Sequence, residues 1–279
     1  MQSIYTDASV YKLLTPQDDA EHAFMCRLAG DAASILELAS GCGNLAARLA
    51  QRADVTGVDA SPEMVALATQ AHGDRPGLCF VQGDMRTLRL ERPFDLVMAV
   101  DNALQHACTD EALYAALGSI RAHMGPRSRA LFQTGLREPE TIDALNHARQ
   151  KVGSATDASG VTFEIYGTST FDPATRVNHR VFEIHKDGAK VAERTLSMRI
   201  LDSAALQQAL ARAGFRMRAR STSRARKSSR KPGLAPRTPC APTSAAPDRS
   251  APRALTYWRR QAIRRPRQAG LRSATEARA

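Results

Sequence analysis

Glu37-Leu-Ala-Ser-Gly-Cys-Gly43 sets a carboxylate in a short apolar run and two glycines in the turn after it. Glycines at such a turn let a ligand approach the backbone closely. A helix opening at Asn44 would offer free N–H groups and a positive end, which suit a ligand carboxylate. Asp59 follows 22 residues after Glu37, at the end of the next apolar run. A carboxylate there can accept hydrogen bonds from both hydroxyls of a ribose. These features alone fit any nucleotide-like cofactor, a nicotinamide dinucleotide included. Two further stretches carry polar side chains after apolar runs: Gly83-Asp84-Met85 and Asp101-Asn102-Ala-Leu-Gln-His106.

The elements that must position these residues can be read from periodicity. Ser34–Ala39, Val55–Asp59, Cys79–Gln82, Phe94–Val100 and Arg129–Gln133 are short apolar runs that predict strands. Helical spacing lies between them, over 44–52, after Ser61-Pro62, and over 110–123. Ser61 is a good N-cap and Pro62 suits the first helical position. This alternation predicts an α/β fold: a doubly wound, mostly parallel sheet with helices on both faces. Near-continuous apolar strands agree with burial on both sides.

Residues 1–30 predict a polar lead with Tyr5 and Tyr11, then a helix capped by Asp18 or Asp19. Over 160–200 the pattern changes to alternating apolar and polar residues, with the turn signal Asp187-Gly188. That predicts an insertion of antiparallel strands at 161–166, 180–185 and 192–200. Asp202-Ser203 can cap a helix over 204–213, Gly214 can end it, and Phe215 should open another strand.

Taken in order, Glu37-x-x-x-Gly-x-Gly43, Asp59, Gly-Asp84-Met85 and Phe94-Asp-x-Val97 resemble the successive motifs of class I S-adenosylmethionine-dependent methyltransferases. Val100-Asp-Asn-Ala-Leu-Gln-His106 is similar to the glycine N-methyltransferase-like and aminosugar N-methyltransferase branches. The resemblance spans about residues 5–215 and implies a Rossmann-like methyltransferase fold with S-adenosyl-L-methionine as cofactor. It implies that Glu37, Ala39, Gly41 and Gly43 line the methionine part, that Asp59 holds the ribose, and that Asp84 and Met85 meet the adenine. Ala39 stands where the family often has glycine. Val100 and Asn102 would lie beside the sulfonium, with His106 facing the substrate. Asn102 and His106 are thus the catalytic candidates; Tyr5, Tyr11 and Asp101 are the substrate-side candidates.

Each of these has a plainer reading beside the functional one. His106 can be a structural histidine at a helix start, Asp101 a cap, and the two tyrosines packing residues. Cys42 reads as a small side chain in the turn. Methyl transfer from an activated sulfonium mainly requires alignment of the acceptor lone pair. A neutral amine needs no general base, whereas a hydroxyl does, and a histidine titrates in a suitable range. N-methylation of an amine or aminosugar, in antibiotic or other secondary-metabolite biosynthesis, is the favoured expectation. O-methylation with His106 as base is the alternative. A reductase is disfavoured by the lack of a Tyr-x-x-x-Lys pair.

The chain carries 39 basic and 28 acidic residues for a net charge of +11. Residues 216–279 hold 16 Arg and 2 Lys against Asp248 and Glu276, so residues 1–215 are net −5. The basic character belongs to the last segment, which reads as a disordered, low-complexity tail, with Ala254–Ile263 at most transiently helical. A basic tail raises an alternative of another class, a nucleic-acid-binding or RNA-modifying protein. The acidic front and the lack of interleaved aromatics make nucleic acid an unfavoured partner. The resemblance leads to a closing pair of antiparallel strands, whereas the pattern stops just after Phe215. The rise in Arg, Pro, Ser and Ala there is what a shifted reading frame of GC-rich coding sequence gives, near codons 216–225. Five cysteines at no metal-ligand spacing predict reduced thiols, no metal site and a cytoplasmic protein. No signal peptide or membrane span is expected. A small molecule is the expected partner, and a homodimer is the assembly to test.

Overall fold

The computed structural model describes residues 2–15, 18–137, 142, 145–157, 159–221 and 253–258. Five strands form where apolar runs were read: β1 (Ser34–Leu38), β2 (Asp54–Asp59), β3 (Leu78–Gln82), β4 (Phe94–Ala99) and β5 (Met124–Thr134). Helices α1 (Ala8–Leu14) and α2 (Asp19–Ala29) precede them. Helices α3 (Asn44–Leu49), α4 (Pro62–His72) and α5 (Asp110–Ala122) alternate with them. The cap signals hold: the Asp18 side chain accepts from Ala20 and Glu21 N–H, and Ser61 Oγ accepts from Met64 N–H ahead of Pro62. Helix α1 was read only as part of a polar lead. Its seven residues are too few for a periodicity signal.

All seven strands of the main sheet run parallel, in the order β10-β11-β5-β4-β1-β2-β3. Here β10 is Arg216–Ser221 and β11 is Arg253–Trp258. From β1 the chain winds outward through β2 and β3, and from β4 in the opposite direction through β5. The carboxyl ends of β1 and β4 therefore flank the switch point where α/β sheets open a crevice. Both faces are covered. One core gathers Leu36, Leu38 and Phe132 with Leu113 and Leu117 of α5. The other gathers Ile35, Leu96 and Met98 with Met25 of α2 and Leu45 of α3. Leu36 and Leu96 are each 0% exposed, and burial of such a side chain contributes about 1.5–3 kcal/mol.

A second sheet of four antiparallel strands has the order β6-β7-β8-β9. Its strands are β6 (His147–Thr156), β7 (Thr162–Asp172), β8 (Val177–Lys186) and β9 (Ala189–Arg199). Asp187 and Gly188 both have positive φ between the paired Lys186 and Ala189, as a two-residue hairpin turn requires. Strand β6 was not expected, because most of its residues face solvent and carry no apolar alternation. After β9, helix α6 (Ser203–Arg212) starts at Asp202, whose side chain accepts from Ala205 N–H at 2.7 Å.

The reading of 216–279 needs correction in two places. Strand β10 begins directly after Phe215, as that residue signalled, so the segment expected to be a structureless tail starts inside the sheet. Residues 253–258, expected to be isolated and at most helical, form β11 between β5 and β10. The open edge of β5 offers unpaired backbone groups, and Thr-Tyr-Trp at 256–258 favours extended structure. Both strands run parallel to β5, unlike the antiparallel closing pair that the resemblance implied. The rest of the basic segment lies outside the described residues.

Candidate functional site

The turn after β1 is built for close approach. Ala39, Gly41 and Gly43 all have positive φ, at 54°, 55° and 77°. A side chain at Gly43 would collide with the ring of Phe80 on β3, so glycine is needed there for packing as well as for conformation. At Gly41 an added carbon would lie 3.0 Å from the hydroxyl of Tyr11, which covers the turn.

Three clefts meet at the carboxyl ends of β1 and β4. The first, about 520 Å³, runs over Gly41, Asp59, Asp84, Met85 and His106. The second, about 140 Å³, is bounded by Glu37, Ala39, Val100, Asp101, His22 and Gln133. The third, about 210 Å³, lies between Asn102, His106, Arg137, Arg180 and Met198. Tyr5 lines the first and third, and Asp101 lines all three.

The carboxylate of Asp59 accepts from Gly41 N–H at 2.8 Å and from Ser61 N–H at 2.9 Å, one bond to each oxygen. Each oxygen retains acceptor capacity toward the cleft, which suits two ribose hydroxyls. Burial raises the Asp59 pKa, and the backbone bonds from Ser61, Gly41 and Ala60 oppose that rise. Glu37 is 3% exposed, and its Oε2 has no hydrogen-bond partner. Burial, then the charge of Asp59, pushes its carboxyl up to about 8. An unsatisfied buried carboxylate oxygen at the wall of this cleft fits the ammonium of a methionine moiety. The donor set thus fits S-adenosyl-L-methionine: Glu37 at the amino-acid end, Asp59 at the ribose, Met85 beside the base.

Asp84 stands in the right cleft but is already engaged. Arg86 donates to it from Nε at 2.9 Å and from its backbone N–H at 2.8 Å, which lowers its pKa. Adenine would share that carboxylate with Arg86.

Among the residues after β4, the structure separates two candidates. His106 faces the first and third clefts, and its Nε2 lies 3.0 Å from the Tyr5 hydroxyl. Burial lowers its pKa, so the ring is held neutral. Asn102 also lines the third cleft, yet its Oδ1 accepts from Gly135 N–H at 2.6 Å. Its φ of 66° and its N–H bond to Gln133 O complete a clamp between the β4 and β5 ends. That geometry anchors Asn102 between the β4 and β5 ends at the wall of the third cleft. Asp101, at φ 50°, keeps surface open to the clefts, and burial raises the pKa of its carboxyl.

The roof comes from the N-terminal residues. Tyr5 and Tyr11 rings lie 5.8 Å apart, and Ser61 Oγ donates to Tyr5 O at 2.9 Å. Arg194 of β9 donates to Asp7 at 2.7 Å, and Thr195 N–H donates to Gln2 O at 2.9 Å. Glu21, His22 and Gln133 were not singled out in the sequence, although Gln133 Nε2 donates to Glu21 at 2.7 Å across the second cleft. Arg137 and Arg180 were also not anticipated. Neither lies in a motif, and only the packing of β8 beside the β5 end brings them to one cavity. Cys42 accepts from the Asn44 amide at 2.8 Å, in keeping with a small turn side chain.

Comparison with known proteins agrees with this geometry. Residues 35–127 match the sequence model of a methyltransferase domain family. The dTDP-3-amino-3,4,6-trideoxy-alpha-D-glucopyranose N,N-dimethyltransferase of Streptomyces venezuelae is 32% identical over 97 residues. That match covers 34% of this chain and 40% of the relative. Methyltransferase YqeM of Bacillus subtilis is 32% identical over 100 residues, again 40% of its length. The chain thus spans about two fifths of the curated relatives it matches. Among solved structures, DesVI of Streptomyces venezuelae superposes with a TM-score of 0.56 at 23% identity, covering 70% of this chain and 82% of that one. The CcbJ methyltransferase of Streptomyces caelestis gives 0.60 at 20% identity, covering 76% and 87%. CalS10, an amino pentose methyltransferase solved with its methyl donor bound, gives 0.56 at 24%, covering 70% and 80%. At these identities the likeness defines the fold. Residues 35–127 are thus similar to a methyltransferase domain, on a fold shared with these solved structures.

Proposed function

We propose that the protein transfers a methyl group from S-adenosyl-L-methionine to the nitrogen of a small-molecule amine, an aminosugar in secondary-metabolite or antibiotic biosynthesis. The observation that carries this reading is the meeting of three clefts at Asp101, two of them also lined by His106. A cofactor chamber and a separate, walled acceptor chamber share one junction there. The aminosugar assignment draws support from the relatives, among them an aminosugar N,N-dimethyltransferase.

When bound, the cofactor supplies a sulfonium methyl that is already electrophilic. The chain's own residues do the rest. Glu37 and Asp59 hold the amino-acid end and the ribose of the donor, on either side of the sulfonium, and fix where the methyl points. Tyr5 and Tyr11 close over it and exclude water. A neutral amine needs no base for the transfer itself, and His106, held neutral and bonded to Tyr5, is placed to take the proton that the methylated nitrogen then sheds. The same neutral ring could serve a hydroxyl acceptor, so O-methylation is the second reading. No helix among the described residues is long and apolar enough to cross a membrane, in keeping with a proposed cytoplasmic site of action.

Calorimetric titration with S-adenosyl-L-methionine, followed by methyl transfer assays on paired amino and hydroxy sugars, tests the proposal. Asp59→Ala should weaken cofactor binding by a factor of about 100, from two lost charge-assisted hydrogen bonds. Unchanged affinity in that variant would overturn the reading. Turnover of the hydroxy member alone would transfer it to oxygen.

A further inference from the structure

A further cavity of about 490 Å³ opens between α2, α3 and α4, away from the clefts of the proposed reaction. It shares only Asn44 with them. Its lining is basic: Arg48 on α3, Arg52 just after it, His72 at the end of α4 and Arg75 beyond. No carboxylate lines it among the described residues. That concentration runs against the surrounding chain, since residues 1–215 are net −5. Two of the guanidiniums are held in place. Arg48 pairs with the exposed Asp19, which does not line the cavity, and Arg75 Nη1 donates to Ala47 O at 3.2 Å. Each bond leaves most of the five-donor fork unused. The Arg52 side chain makes no hydrogen bond or ion pair with a described residue. His72 carries a second, independent signal. Its Nε2 lies 3.1 Å from Asn44 Oδ1, so Nε2 bears the proton and Nδ1 is left as a bare acceptor. That Nδ1 is shielded from solvent and has no partner. Burial, then the charge of Arg75, lowers the pKa of the ring. An anion in the cavity would offset both effects and let Nδ1 take up its missing proton.

We infer that this cavity is a binding site for a small phosphate-bearing ligand, separate from methyl donor and acceptor, held by Arg48, Arg52 and Arg75 with His72 at its wall. The planar fork of arginine matches phosphate oxygens. Positive side chains that converge on a concavity raise the local potential more than the same charges spread over a convex face. The volume is that of a small-molecule pocket. Convergence on one cavity, in place of a stripe along a face, favours a small ligand over a nucleic-acid strand. The site stands on these four residues and does not depend on the methyltransferase reading.

The test is titration of the full chain at constant ionic strength with inorganic phosphate, with pyrophosphate and with a single-stranded RNA oligonucleotide. Calorimetry reads the affinity, and the ring NMR signals of His72, assigned by their loss in His72→Gln, read the place. Saturable binding of phosphate or pyrophosphate is expected, with the His72 signals moving along the same curve. Arg52→Gln and Arg75→Gln should each weaken it by about tenfold or more, the worth of one charge-assisted hydrogen bond. Arg52→Lys should recover part of the loss. The Arg52 side chain has no described bond to lose, so Arg52→Gln should melt as the parent does, which separates lost binding from lost folding. Polyanion binding by the basic residues after 216 would leave the His72 signals still and survive in both glutamine variants, and that outcome would sink the site. So would saturation by RNA alone, or failure of both phosphate and pyrophosphate to saturate.

Discussion

The hydroxyl of Tyr5 stands 3.0 Å from Nε2 of His106, and the two rings meet edge to face with centroids 5.3 Å apart. One residue belongs to the N-terminal roof and the other to the turn after β4. Their contact stands where the first and third clefts adjoin. Tyr5→Phe removes the hydrogen bond but keeps the ring, so kcat should fall about tenfold, the worth of one such bond. His106→Gln should lower kcat further. Because burial holds the His106 pKa below the ordinary imidazole range, the acid limb of the pH–rate profile should lie below that range and vanish in the glutamine variant. Steady-state kinetics across pH measures both, and a profile that is identical in His106→Gln would remove the histidine from the reaction.

Glu37 predicts a pH dependence of stability. Its carboxyl is raised from 4.5 to about 8 in the folded protein. Between those values the folded chain binds a proton that the unfolded chain has lost, so this group's contribution to stability falls as pH rises through the window. Glu37→Gln should therefore melt at the same temperature as the parent near pH 4 and at a higher one above pH 8. Cofactor binding reverses the preference, since an ammonium beside Oε2 favours the ionised carboxylate. Calorimetry in buffers of different ionisation heat should detect proton release on binding near neutral pH, absent in the glutamine variant.

Gly43→Ala should cost roughly 1–3 kcal/mol in denaturant unfolding, from a left-handed backbone and from overpacking against Phe80. Unchanged stability would mean that the turn can relax away from β3.

Strand β11 lies between β5 and β10, so its N–H groups serve both neighbours. Thr256→Pro removes one of them and should destabilise by roughly 1–3 kcal/mol. Hydrogen exchange offers the direct check: amides at 253–258 should be protected in the parent and lose protection in the variant.

Much of this fold could be read from the chain because β1, β2, β4 and the latter half of β5 are buried on both faces and had to be written as apolar runs. That Glu37, Asp59 and Met85 line clefts could be expected because they sit at fixed offsets from the ends of those runs. Strand β6 was not, since a solvent-facing strand such as His147–Thr156 needs no apolar alternation. The bond from Gly135 N–H to Asn102 was not legible, because it depends on how closely the β4 and β5 ends approach. Arg137 and Arg180 could not be paired in advance, because 43 residues separate them and only the folded insertion brings them to one cavity.

The salt bridge from Arg194 to Asp7 ties the roof of one chamber to the wall of the other. Leu196 and Met198, on the same strand as Arg194, line the acceptor chamber, while Tyr5 and Tyr11 cover the donor. Under the proposed function this fastening predicts an ordered reaction, donor first and acceptor second, which product-inhibition kinetics would check, and loss of that order in Arg194→Gln would tie it to the ion pair.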